Sequence, residues 1–210
     1  INKVDDRSAT STYWRKLKIS DKNIDEKIEN EFLTIENVST TSENLSITGF
    51  KLVNSSGDEF IIPKGHNLPG ISPIPLDDTI LQPSNSAKIF TGQQEKQINF
   101  RENLCTGYFS QSSNFFSKLA SMCPRPDVRG NLKLPDHCIR VFEAVQSCRT
   151  IDTSKIQLPE CLEFSEAHFN YQGCVNDFKN RKDFYSNRWL IWMQRSSRFL
   201  RNIHDEVTLY

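Results

Sequence analysis

Between residues 17 and 92, apolar and polar positions alternate with the two-residue period of half-buried β-strands. In "EFLTIENVS" (31–39), Leu33 and Ile35 share one face, and Thr34 and Glu36 the other. "LSITGFKLV" (45–53) places Leu45 and Ile47 in one phase and Phe50 and Leu52 in the next. Gly49 falls where the phase slips, as a β-bulge requires. "NSSGD" (54–58) is turn chemistry, because Asn, Ser and Gly tolerate tight or left-handed geometry. "EFIIP" (59–63) returns as an edge or terminal strand, since Pro63 cannot donate to a ladder. "LKIS" (17–20) and "SAKIFTG" (86–92) add a strand each, the second after a Pro- and Asp-rich loop at 67–79. Short strands separated by regular turn signals predict a small antiparallel β-sandwich.

Beyond residue 100 the period lengthens. "LPDHCIRVFEAVQSC" (134–148) sets Cys138, Val141, Phe142, Val145 and Cys148 along one helical face. "LPECLEFSEAHFNYQGC" (158–174) repeats the opening, with Pro suited to the first turn and Gly173 placed to end the helix. Asp136 and Glu160 complement the positive ends of these two helices. "DFYSNRWLIWMQRSSRFL" (183–200) predicts a third helix, with Tyr185, Trp189, Trp192 and Phe199 near one stripe, and 112–122 a shorter one. The predicted class is α+β, an antiparallel β-sandwich beside an α-helical region.

"EFLTIEN", "LSITGFKLVNSSGDEFIIP" and "LQPSNSAKIFTG", in this order and spacing, resemble the lamin-tail domain. In that family's pattern a tryptophan stands where this chain has Phe50, and a glycine follows the proline where it has Ser84. The resemblance implies an immunoglobulin-like β-fold of the type carried by bacterial secreted and surface proteins as well as nuclear lamins. "HDEVTLY" (204–210) resembles a late strand of the same domain. It would complete a sandwich formed by residues 1–100, leaving 101–203 as a cysteine-rich helical insertion. Two consecutive domains with an unrelated tail strand are the alternative.

All six cysteines lie between Cys105 and Cys174. Zinc ligation would call for close pairs of the Cys-x2-4-Cys kind, and the nearest pair here is Cys138 and Cys148. Free thiols are the other alternative. An even count at wide helical spacing favours three disulfides, each contributing about 2–4 kcal/mol. A helical hairpin would pair the inner Cys148 with Cys161 and the outer Cys138 with Cys174, leaving Cys105 for Cys123. Disulfides place the chain in an oxidising compartment, extracellular or at the cell surface, which argues against a nuclear lamin role.

Chemistry beyond the thiols is sparse. The four histidines fall in no metal or nucleophile motif, and Glu163, Glu166 and His168 read as a solvated helix face. No catalytic residue, cofactor site or metal site is assigned. Arg188, Trp189, Trp192 and Arg195 interleave cations with aromatics and form a possible ligand surface. The competing reading puts the aromatics in the core and the cations in water. Basic and acidic residues balance at 26 each, so nothing global attracts nucleic acid or anionic lipid. No apolar run is long enough for a membrane helix. The opening "INKVDDRSATSTYW" has neither a methionine nor a signal-like apolar run and reads as a cut or a processed chain. Sequons at Asn37, Asn44 and Asn54 read as chance matches in a polar β-region. The expected function is a non-enzymatic extracellular or cell-surface binding module whose partner is a protein or a cell-envelope glycan. An accessory targeting domain of a larger secreted hydrolase or nuclease is the alternative.

Overall fold

The computed structural model describes residues 13, 15–68, 75–111, 119, 122–130, 134–156, 158–201 and 205–210. The helix expected over 112–122 lies almost entirely outside the described residues. The described residues form ten strands: β1 (Leu17–Asn23), β2 (Phe32–Asn37), β3 (Leu45–Ser46), β4 (Lys51–Val53), β5 (Glu59–Ile61), β6 (Ile80–Leu81), β7 (Ser86–Phe90), β8 (Phe100–Asn103), β9 (Tyr185–Trp192) and β10 (Thr208–Leu209). Among the described residues, three short α-helices, α1 (Asp136–Glu143), α2 (Pro159–His168) and α3 (Tyr171–Phe178), lie between β8 and β9. The class is therefore α+β, with few and short helices.

The strands form a five-stranded sheet in the order β1-β2-β7-β9-β8, a three-stranded sheet β10-β4-β5 and a two-stranded pair β3-β6. Leu33 and Ile35 of β2 are buried on one face, as their alternation predicts. They meet Ala87 and Ile89 of β7 and Trp189 and Ile191 of β9 in one core cluster. Ile47, Leu52, Ile62 and Leu81, from the smaller sheets and their flanks, fill the other side of that cluster.

The third helix expected over 183–200 is not formed. Its apolar part is β9, which pairs in parallel with β7 and antiparallel with β8. A short apolar run is compatible with a buried strand or a buried helix. Here Trp189, Leu190, Ile191 and Trp192 are all buried because an interior strand is covered on both faces. The large sheet is consequently mixed rather than antiparallel, and residues 101–203 are not wholly a helical insertion. Both β8 and β9 belong to the sheet, and the helices leave and re-enter it through them.

Gly49 marks a turn, not a bulge. Its φ of +84° lies in the left-handed region, and Phe50 N–H donates to Ile47 across the corner. The phase slip between Ile47 and Phe50 is thus a switch between sheets, β3 pairing with β6 and β4 with β5. At the other end of the chain, Thr208 and Leu209 pair with Val53 and Leu52, so the terminal segment joins the sheet built by β4 and β5. The buried Asp205 anchors it, accepting backbone N–H bonds from Ser55 (3.1 Å) and Arg201 (2.9 Å). Burial pulls the Asp205 pKa up, but these bonds and Lys22 outweigh it and hold the carboxyl below its ordinary range.

The helical segment also departs from expectation. The 158–174 stretch is two helices, because Asn170 caps the second one by accepting from the Gly173 N–H (2.9 Å). Gly173 therefore sits in the first turn of α3 rather than at a helix end, and a Cβ there would lie 2.1 Å from the Ala167 carbonyl oxygen. α1 ends at Glu143, which leaves Val141 exposed and Cys148 outside the helix at a φ of +57°.

Candidate functional site

All six cysteines are oxidised, but none of the three expected pairings forms. The bridges are Cys105–Cys174, Cys123–Cys148 and Cys138–Cys161. The simple hairpin that would join Cys148 to Cys161 fails because Cys148 lies beyond the end of α1. Cys138 and Cys161, each in the first turn of its own helix, are brought face to face instead. The first two bridges share a cluster with Tyr108, Val175 and Phe184 next to the sheet. The third sits in a separate cluster with Phe142, Phe164 and Phe169.

The four residues of the expected ligand surface are dispersed. Trp189 and Trp192 are three positions apart on one strand, so they point to opposite faces of the sheet. Trp189 is in the main core, its Nε1–H donating to the Ile80 carbonyl (3.0 Å). Trp192 stacks on Phe90 at 5.3 Å within the cluster on the other face. Arg195 sits over the Phe199 ring and 3.7 Å from Asp58, away from both tryptophans. Neither indole is free to stack on a ligand. Of the four, Arg188 lines a cleft.

That cavity is a cleft of ≈ 320 Å³ on the outer face of the five-stranded sheet. Its floor is Phe32, Lys88, Phe90, Arg188 and Leu190. Register explains the set: Phe32 lies opposite Phe90, Lys88 beside Leu190 and Ser86 beside Arg188, so these side chains emerge on the same face. One wall is the β1–β2 connection, which contributes Asn23, Asp25, Glu29 and Asn30. Asn23 Nδ2 donates to the Asn30 carbonyl (3.0 Å), and Asp25 accepts from the Lys27 N–H (2.9 Å).

The two cations are held differently. Arg188 donates two bonds from Nη2 and one from Nε to the buried Glu102 carboxylate, at 2.8–3.0 Å. That fork fixes the guanidinium plane at the cleft floor. The Lys88 ammonium lies 3.5 Å from the centroid of Phe32 and 5.3 Å from that of Phe90. Burial, and then the neighbouring Arg188, lower the Lys88 pKa against the opposing pull of Asp21 and Glu102. Aromatic faces hold this cation without consuming its N–H donors, which leaves them available to an incoming acceptor.

Sequence reasoning missed Lys88 and the β1–β2 connection. The alternation in "SAKIF" places Lys88 opposite Ala87 and Ile89, and that signal was available. The joining of β7 to β9 that sets Lys88 beside Arg188 was not. His168, read as part of a solvated face, pairs with Asp177 at 2.8 Å. Asn37 and Asn54 are buried, and their side-chain amides donate to Leu81 and Phe199 carbonyls respectively. These bonds occupy both sequon asparagines structurally. No described helix is long and apolar enough to cross a membrane. No protein-family model matches the chain. Neither a curated protein nor a solved structure matches it.

Proposed function

We propose that the chain is an extracellular or cell-surface binding module. In this reading it is an immunoglobulin-like sandwich of the lamin-tail type, and the outer cleft of its five-stranded sheet takes an acidic cell-envelope glycan. The observation that carries this reading is the Lys88 ammonium, half-buried on aromatic rings with its donors unspent beside the fixed guanidinium of Arg188. A sugar carboxylate would accept from both cations. Its hydroxyls would donate to Asp25 and Glu29 and accept from the Asn30 amide on the wall. A cleft with cations on the floor and acids on one wall suits a ligand that carries both a charge and hydroxyl donors. The three disulfides are compatible with the oxidising setting that such a role requires. The packing of both sheets' side chains into one core supports the sandwich architecture.

The test is binding of the purified protein to a glycan array containing uronate and neutral oligosaccharides. Retention is expected on uronate-bearing glycans and not on their neutral counterparts. Lys88→Ala should weaken it by roughly ten- to a hundredfold, the value of one charge-assisted hydrogen bond. Its circular dichroism should be unchanged, because Lys88 is not part of the core. Equal retention by the variant would reject the cleft as the site.

A further inference from the structure

We infer that the Cys138–Cys161 disulfide is an exchange site, opened selectively by a solvent-borne alkyl thiolate with His137 assisting the departing sulfur. Three observations set this bridge apart. His137 Nε2 lies 3.5 Å from Cys138 Sγ and 3.5 Å from Cys161 Sγ. Among the described residues, no other bridge has an imidazole at its sulfurs. The bridge also borders an open groove of ≈ 230 Å³, lined by His137, Val141, Ile156 and Leu158. Val141 and Leu158 are exposed at its rim. The other two bridges are packed into the cluster that joins the helices to the sheet. There, the Cys148 sulfur is already engaged by the Cys123 N–H at 2.9 Å.

The chemistry follows from which sulfur can be reached and which can leave. Both cysteines line the groove, and Cys161 keeps slightly more surface than the fully buried Cys138. The incoming thiolate therefore attacks Cys161 Sγ. A bond forms between the external sulfur and Cys161 as the Cys161–Cys138 bond breaks, and the electron pair departs on Cys138 Sγ. His137 Nε2–H, within reach of both sulfurs, donates to that departing sulfur. The Cys138 sulfur is in the first turn of α1, where developing negative charge is also favoured. A second external thiol resolves the mixed disulfide, leaving two protein thiols and one external disulfide. The overall step oxidises two external thiols and reduces one protein bridge. Exchange frees α1 from α2 within their own small cluster, while the other two bridges still tie the segment to the sheet.

The experiment treats the folded, fully oxidised protein with limiting glutathione, quenches it with acid and N-ethylmaleimide at short times, and maps the peptides. The expected first product carries glutathione on Cys161 and maleimide on Cys138, with Cys105–Cys174 and Cys123–Cys148 intact. His137→Ala, a change at an exposed side chain, should slow opening of this bridge roughly tenfold, the effect of losing one charge-assisted contact. The variant should leave the rates of the other two unchanged. Opening of another bridge first, simultaneous opening of all three, an adduct on Cys138, or an unchanged rate in the variant would each overturn the proposal.

Discussion

Replacing Trp189 by alanine is expected to remove about 4–5 kcal/mol of stability, a large fraction of the roughly 5–15 kcal/mol typical of a folded domain. The indole is fully buried at the meeting point of β7, β8 and β9, among Ala87, Ile89 and Ile191. Truncation would open a cavity the size of the ring system and strip the Ile80 carbonyl of its Nε1–H donor. Collapse into the void is limited, because the ring packs on backbone. A Cβ built at Gly65 would lie 2.8 Å from the Trp189 ring and 3.0 Å from the Asn99 carbonyl. At about 2–4 °C per kcal/mol for a chain of this size, the melting temperature should fall by roughly 8–20 °C. Differential scanning calorimetry of the oxidised protein measures this directly. A fall of only a few degrees would mean that Trp189 is not the core residue of an interior strand, and would favour the expected helix over 183–200.

Glu31→Ala is expected to cost about 3–5 kcal/mol through unsatisfied donors rather than lost apolar volume. Glu31 has no exposed surface. Its Oε1 accepts from Thr91 Oγ1 (2.7 Å) and from the backbone N–H groups of Phe199 and Leu200 (both 3.0 Å). One side chain just before β2 thereby straps the segment after β9 against the main core, where Phe199 and Leu200 are buried. Alanine would orphan all three donors, whereas Glu31→Gln retains an acceptor and should lose less than half as much. Guanidinium unfolding of the three proteins checks this ordering. If alanine and glutamine proved equally costly, the loss would reflect packing and the strap would not exist.

The parts of the fold that were legible in the sequence are those decided by local pattern. Alternation around Leu33 and Ile35 identified β2 and its buried face, and the late strand expected within 204–210 is β10. An even count of widely spaced cysteines pointed to disulfides. What failed depended on partners distant in sequence. "RWLIW" carries no periodicity that separates a strand covered on both faces from a buried helix, and its parallel partner lies about a hundred residues upstream. β8 is only four residues long, too short to stand out, and becomes a strand because β9 lies beside it. The disulfide pairing turned on a helix that ends at Glu143, five residues before Cys148, and helix ends are poorly marked when no Gly or Pro follows. The site was legible in one residue, Arg188. Its cleft is made by side chains that become neighbours only when β7 and β9 pair.

Binding at that cleft is tested most directly by titrating the isotope-labelled protein with a uronate oligosaccharide and following backbone amide shifts by nuclear magnetic resonance. Binding at the outer face of the sheet predicts saturable shifts grouped at 23–32, 88–90 and 188–190, and their loss in Lys88→Ala. A spectrum that does not move, or shifts confined to the helices and the β4–β5–β10 sheet, would contradict it.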